Sequence, residues 1–251
     1  MTDRVAAYRR GMRASGTAVA LVAALSLIAA PAAADGPGYK FFRSGGNPKK
    51  PGAYWNPCST VTYGIDFTYA KRKGLRAARE EARWRSAVAE VAAAMGMKFR
   101  YEGRIKSRAK RFQPRSASGV DLIITYGNDR RGGRYGYGRT LAGSVAGVAG
   151  ISWRRVSRAA QVTYGYVVID AKDVARNTDA TSVPFDPRPA AQRSPDVARA
   201  LYMHEFGHAV GLDHVRDRRQ LMYPRLQSDR PDTLGAGDRR GLRKLGAQRC
   251  F

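Results

Sequence analysis

The sequence has 251 residues and a formal net charge of +25, with 45 lysines and arginines against 20 aspartates and glutamates. This length suits one domain, and no apolar run reaches the roughly 18 residues of a transmembrane helix, which argues against a membrane-spanning protein. No internal repeat and no nucleic-acid-binding motif accompanies the charge, so we expect neither a repeat protein nor a specific nucleic-acid partner.

The first 34 residues are typical of a signal peptide. Four arginines precede an apolar stretch of about 14 residues, and three alanines ending at Ala34 form a small-residue cleavage site. Cleavage near Ala34 predicts a secreted, extracellular protein. The removed segment holds four arginines and one aspartate, so a charge of +22 remains on the rest of the chain.

Residues 35–57 are rich in Gly, Pro, Lys and Arg, which predicts a flexible basic leader that straps onto the domain near Tyr54 and Trp55. Residues 58–251 are expected to form one domain. Cys58 and Cys250 lie near its two ends, and export to an oxidising compartment favours a disulfide between them.

Hydrophobic patterns predict the next elements in chain order. Strands are predicted over residues 61–69, 97–101, 120–126 and 162–170, and a long helix over residues 75–95. Residues 141–153 are nearly free of charge and rich in Gly and Ala, and are either a loop or a strand. Asp170 and Asp173 are either turn residues or calcium ligands. Helices and strands in this order predict an α/β or α+β sheet protein.

After a turn-rich spacer at residues 184–189, Ser194, Pro195 and Asp196 predict a helix start, so a helix is expected over residues 195–210. A last helix is expected over residues 236–245. Basic clusters at residues 104–115, 130–139 and 154–158 are either solvated loops or a surface that attracts anionic cell-surface polymers.

All three histidines of the chain lie within the run His204-Glu205-Phe206-Gly207-His208-Ala209-Val210-Gly211-Leu212-Asp213-His214. Residues four apart share one face of a helix, so His204 and His208 can bind one ion, and zinc suits them. Gly211 can end the helix in a left-handed conformation and bring His214 back as third ligand. Glu205 lies beside the ligands and suits a general base.

This run resembles the zinc signature of the metzincins, and Leu221-Met222-Tyr223-Pro224 resembles the Met-turn of their matrixin branch. The resemblance implies an α+β metzincin-like catalytic domain: a twisted mixed β-sheet with a long helix, a zinc-site helix and a C-terminal helix. It implies one catalytic zinc held by His204, His208 and His214, with Met222 as an apolar floor.

The same resemblance implies a substrate pocket. Part of residues 141–153 would form the edge strand above the cleft, and residues near Val145, Gly147 and Gly150 would bind an extended peptide, with Pro224 and Leu226 in a pocket wall. Val215 and Leu226 stand where matrixins usually have Ser and Tyr. The pro-segment cysteine motif of many matrixins is absent, and blockage of the zinc by a Cys58 thiolate is the alternative to the disulfide.

These observations predict a secreted, monomeric zinc endopeptidase in which Glu205 activates the attacking water against a protein or peptide substrate. Two alternatives stay open. The same zinc site could hydrolyse cell-wall peptides, or the chain could be a non-catalytic cationic zinc-binding protein.

Overall fold

A computed structural model describes residues 6–10, 38–42, 50–110, 113–116, 119–130, 136–143, 145–156, 159–177, 196–226 and 233–251. The spacer at residues 184–189, together with Ser194, Pro195 and most of the predicted signal peptide, lies outside these ranges. Among the described residues, no helix combines the length and the apolar character that a membrane span requires.

The main sheet is built from five strands of six to twelve residues. These strands are β3 Val61–Asp66, β4 Phe99–Arg104, β7 Leu122–Gly127, β8 Val145–Val156 and β9 Ala159–Asp170. They lie in the order β8-β9-β7-β3-β4. Strands β9, β7, β3 and β4 are parallel, whereas β8 runs antiparallel to β9. Most of the charge-free run that could be a loop or a strand is therefore a strand.

Shorter strands complete the pairing. They are β1 Ala6–Arg10, β2 Lys40–Phe41, β5 Ser107–Lys110, β6 Gln113–Ser116, β10 Leu212–Asp213 and β11 Arg225–Leu226. Strand β1 extends the main sheet, antiparallel to β8 and parallel to β11. Strand β2 pairs with β10, and β5 pairs with β6. This last hairpin lies within a basic cluster for which the sequence predicted no strand.

The helices are α1 Thr68–Arg72, α2 Ala77–Met95, α3 Ala171–Asn177, α4 Val197–Val210 and α5 Ala236–Gly246. Helix α2 begins two residues later than predicted and ends before Gly96, whose φ of 71° allows the left-handed turn after Met95. Helices α2 and α4 share one core with the sheet. This core includes Ile65, Trp84, Val91, Ile124, Val167, Phe206 and Val210. The predicted α+β class is confirmed.

The leader packs on the domain near Trp55, where the sequence predicted contact, and also at residues 38–42, where it predicted none. Tyr39 and Phe41 are buried in the core, and Trp55 donates from Nε1 to the carbonyl of Ala209 at 2.9 Å. Aromatic side chains between the basic residues explain this packing, because their burial opposes the disorder that Gly, Pro and charge favour.

Cys58 and Cys250, which lie 192 positions apart, form a disulfide. The bond ties the segment before β3 to the end of the chain after α5. A cross-link over so long a loop stabilises the fold by up to about 5 kcal/mol in the chain-entropy account. Because Cys58 is bonded to Cys250, the alternative in which its thiolate blocks the zinc is wrong for this structure.

Candidate metal centre and active site

Helix α4 carries His204, Glu205 and His208. It begins after Asp196, whose Oδ1 accepts from the backbone N–H of Arg199 at 3.0 Å and so caps the helix. The sequence predicted a slightly earlier start, with Ser194 as cap. Every residue of α4 from position 200 to position 210 is buried, so packing holds this part of the helix on all sides.

Gly211 ends α4 and turns the chain back toward the site. Its φ of 119° lies in the left-handed region, where a Cβ would be strained, and its N–H donates to the carbonyl of His208 at 3.1 Å. Strand β10 follows directly. This reversal is what brings His214 beside the two histidines of the helix.

The three histidines converge through their Nε2 atoms. Each of the three pairs among His204, His208 and His214 has its Nε2 atoms 3.1 Å apart. Tetrahedral ligands around zinc, with bonds of about 2.0–2.1 Å, require a nitrogen separation of about 3.3 Å. Among the described residues, this is the only group of three or more potential ligand side chains close enough to share an ion.

Backbone carbonyls fix the tautomers of two of these rings. Nδ1 of His204 lies 2.7 Å from the carbonyl oxygen of Leu221, and Nδ1 of His208 lies 2.8 Å from that of Leu212. Since a carbonyl only accepts, each Nδ1 carries the proton and each Nε2 keeps its lone pair. Lone pairs that face one another in a buried site repel unless a cation lies between them, so these residues fit a zinc ion.

Burial keeps the histidines neutral. It lowers the pKa of His204 and His208 well below the usual range, and neighbouring histidines lower it further. Burial also lowers the pKa of His214, with the charge of Asp213 opposing the shift and that of Lys40 adding to it. Neutral imidazole is the form that binds metal ions.

Glu205 is buried beside the histidines, and nothing among the described residues hydrogen-bonds to either of its carboxylate oxygens. Burial raises its pKa well above the usual range. Gly147 of β8 lies over this carboxylate, since a Cβ at Gly147 would stand only 2.8 Å from Cγ of Glu205. A buried carboxylate without a partner costs free energy, which points to a chemical role for it.

The predicted Met-turn lies against the helix. Met222 is buried, and a Cβ at Gly207 would stand 2.7 Å from its sulfur, so the glycine before His208 leaves room for the methionine. Asp238 of α5 holds this turn by accepting from the backbone N–H groups of Leu221 and Met222 at 2.7 and 3.3 Å. Burial raises the pKa of Asp238 to about 6.

Asp238 was not predicted as a site residue from the sequence. The only feature of the sequence that distinguishes Asp238 is that it is the one acidic residue in the basic helix α5. Its partners Leu221 and Met222 lie 17 and 16 positions away along the chain, so no local pattern connects them. The carbonyl of Leu221 accepts from His204, so Asp238 fixes the residue that orients the first histidine.

The predicted substrate-pocket residues lie in two places. Val145 and Gly147 belong to the part of β8 that pairs with β1, and Leu226 pairs with β1 from the other side. Pro224, half-buried, comes just before β11. Gly150 lies just beyond the residues of β8 that pair with β1. A Cβ at Gly150 would stand 2.7 Å from the hydroxyl oxygen of Tyr166, which belongs to a second buried hydrophobic cluster.

Asp170 ends β9 and acts as a turn residue. Its Oδ1 accepts from the backbone N–H groups of Lys172 and Asp173 at 2.8 and 3.3 Å, at the start of α3. Burial and the charge of Asp173 raise its pKa to about 6. This arrangement matches the turn alternative of the sequence analysis.

Part of the chain that contains this site matches a known protein family. Residues 153–246 match the family model of the matrixins, Peptidase_M10. The match includes the end of β8, all of β9, α4 with the histidine run, the Met-turn and α5. A search among curated proteins finds no match. The predicted resemblance to the matrixin branch of the metzincins is thereby confirmed.

Proposed function

We propose that this matrixin-like chain is a secreted zinc endopeptidase, with His204, His208 and His214 as metal ligands and Glu205 as general base. The family match indicates a zinc metallopeptidase, and the finer assignment rests on the site. The observation that carries it is the buried carboxylate of Glu205, which has no partner in the described ranges and lies beside three imidazole nitrogens that are 3.1 Å apart.

The three histidines would hold the ion through Nε2. When bound, zinc lowers the pKa of a water molecule toward about 7 and polarises the substrate carbonyl. Glu205 takes a proton from the attacking water and gives it to the amine that leaves. A carboxylate suits both steps, because it can accept the proton and then donate it.

The edge of β8 supports a peptide substrate. Strand β1 pairs there between β8 and β11, antiparallel to the first and parallel to the second, so this edge accepts an extended backbone. Tyr8 of that strand lies opposite Gly147, the residue above Glu205. A substrate strand in the same place would present its backbone beside the base, with main-chain pairing supplying affinity.

Secretion is part of the proposal. It is supported by the signal-peptide pattern of residues 1–34 and by the disulfide between Cys58 and Cys250, since disulfides persist in oxidising compartments. Cleavage near Ala34 would remove β1 and leave the edge of β8 open to a substrate.

Exchange of Glu205 for Gln tests the mechanism. We expect Glu205→Gln to keep one equivalent of zinc and to lose about 10²–10⁴-fold in kcat/KM on an unfolded protein substrate, because the amide cannot accept the proton. Glu102→Gln changes a carboxylate on β4 whose side chain is 36% exposed, and this matched control should cleave like the wild type. Cleavage by Glu205→Gln at the wild-type rate would contradict the mechanism.

A cell-wall peptide hydrolase is the second candidate, favoured by a basic hollow beside α5. The hollow has a volume of about 510 Å³ and is lined by Tyr39, Arg240, Arg243, Lys244 and Ala247. Such a surface suits a wall rich in acidic polymers. Faster digestion of purified wall peptides than of unfolded protein would favour this candidate. Full zinc occupancy without any hydrolysis would instead indicate the non-catalytic alternative.

A further inference from the structure

The leader residues Gly38–Phe42, called the leader clamp below, pair with the turn between the second and third histidines. Phe41 lies opposite Leu212 and Lys40 opposite Asp213 in the antiparallel pair of β2 and β10. The backbone N–H of Phe42 donates to the carbonyl of Gly211 at 2.9 Å. The clamp therefore contacts each of residues 211–213, which follow α4 and lead to His214.

The residues of this turn also hold the histidines. The carbonyl of Leu212 accepts from Nδ1 of His208 at 2.8 Å, and Oδ1 of Asp213 accepts from the backbone N–H of His214 at 2.8 Å. Each residue of β10 thus links one residue of the clamp to one histidine. A shift of β10 would move two of the three imidazoles.

Side chains of the clamp add two direct contacts. Nζ of Lys40 lies 2.7 Å from Oδ2 of Asp213, whose other oxygen accepts from His214. The ring of Phe42 lies against that of His208, with centroids 5.2 Å apart. Backbone and side chains of the clamp therefore act on the same two histidines.

The clamp is itself fixed on the domain. Tyr39 and Phe41 are 7% and 1% exposed, and their ring centroids lie 5.3 Å apart. Gly38 packs closely on Gly237 of α5, since a Cβ at Gly237 would clash with the carbonyl oxygen of Gly38. Helix α5 also carries Asp238, which holds the Met-turn. The clamp and the Met-turn therefore share one support.

We propose that the leader clamp is a positioning segment that holds the turn after α4 so that His208 and His214 converge on the metal with His204. This inference rests on the proposed zinc site and names no new catalytic residue. Groups that orient metal ligands typically change metal affinity by about 10–100-fold when they are removed. The zinc affinity of the protein should therefore depend on residues 38–42, although none of them is a ligand.

Three variants of the full chain separate the contacts. Phe42→Pro removes both the N–H donor to Gly211 and the ring, Phe42→Ala removes the ring alone, and Lys40→Met removes the ion pair with Asp213. Tyr54→Ala is the matched control, since Tyr54 is a buried aromatic of the same leader whose ring stacks on that of Phe251 at 4.8 Å. The readouts are the zinc dissociation constant, by competition with a chelator, and the Tm of the metal-free protein.

We expect Phe42→Pro to raise the zinc dissociation constant by about 10–100-fold, whereas Tyr54→Ala lowers the Tm and leaves the dissociation constant unchanged. An unchanged constant in Phe42→Pro, or an equal rise in Tyr54→Ala, would overturn the proposal. If Phe42→Pro does not fold, Lys40→Met and Phe42→Ala decide the matter, and wild-type constants in both would overturn it.

Failure of the proposed function would look different. Zinc affinity is measured without a substrate, so a wild type that binds zinc but hydrolyses nothing would refute the endopeptidase and leave the test of the clamp intact. Wild-type hydrolysis with unaltered zinc affinity in all clamp variants would refute the clamp alone. A wild type that binds no zinc would refute both.

Discussion

Two buried polar clusters at helix α4 differ in how their groups are paired. Near the start of the helix, Arg83 donates to Glu80 and Asp196 at 2.9 Å each, and the hydroxyl of Tyr202 donates to Glu80. Further along the helix, the carboxylate of Glu205 has no hydrogen-bond partner among the described residues. The groups of the first cluster, called the Arg83 cluster below, are paired with one another. At the second cluster, the histidine site, His204 and His208 bind backbone carbonyls, and only Glu205 lacks a partner in the part of the chain that the structure describes.

The contrast separates a structural role from a chemical one. Burial alone would lower the pKa of Arg83, but the charges of Asp196 and Glu80 raise it on balance, so the guanidinium stays ionised and paired. At Glu205, burial raises the pKa, and no group within the described part of the chain opposes the shift. A fold that pairs its charges at one cluster and leaves a carboxylate unpaired at the other keeps that carboxylate free for a ligand or a proton.

Removal of Arg83 should produce the largest loss of stability. Arg83→Met leaves Asp196 without its cation and leaves Glu80 with only Arg79, whose Nε lies 3.5 Å from Oε1 of Glu80. We expect a decrease of about 3–5 kcal/mol in the free energy of unfolding. Urea titration of the metal-free protein measures it. Arg76→Met, which changes an exposed arginine just before α2, is the control and should have little effect. A loss below about 1 kcal/mol for Arg83→Met would show that the Arg83 cluster is not a structural pair.

The contribution of the unpaired acid Glu205 to the free energy of unfolding should fall as pH rises, because its pKa is raised in the folded protein. This contribution is full below the unfolded pKa of about 4.5 and is lost as pH rises toward the folded pKa. Between pH 5 and pH 8, the metal-free wild type should lose at least about 1 kcal/mol more than Glu205→Gln. Urea titrations at the two pH values measure the difference. A wild type that gains stability over this range relative to the variant would mean that Glu205 has a stabilising partner.

The histidines affect stability on the acid side, and His214 alone should give the smallest effect of the three predictions. Their pKa values are lowered in the folded protein, so the unfolded chain takes up protons first, and stability that is present above about pH 6.5 is lost as pH falls below it. Between pH 7 and pH 5, the metal-free wild type should lose about 1 kcal/mol more than His214→Asn. Equal losses would indicate that His214 is protonated in the folded protein.

The two clusters also differ in how far the sequence could predict them. The histidine site is local: a four-residue spacing, a glycine turn and a third histidine lie within eleven positions, so helix geometry and one turn bring them together. The Arg83 cluster joins residues separated by 113 and 122 positions, and only the packing of α2 on α4 brings them into contact. No periodicity or motif encodes such a pair.

Short segments without a hydrophobic period account for the other differences between the predicted and the observed elements. The leader clamp was missed because two buried aromatic residues in a Gly- and Lys-rich segment carry no periodic pattern, and β2 has only two residues to pair. The hairpin of β5 and β6 was missed because its basic residues suit a solvated loop equally well. By contrast, α2 and β7 were predicted nearly to their ends, since long runs with a clear hydrophobic pattern specify one element.

The most direct test is an anomalous-scattering map, at the zinc edge, of crystals grown with one equivalent of zinc. The account predicts one peak within about 2.0–2.1 Å of Nε2 of His204, His208 and His214, with Glu205 outside bonding distance. A zinc peak elsewhere on the chain, or none at these three nitrogens, would contradict it.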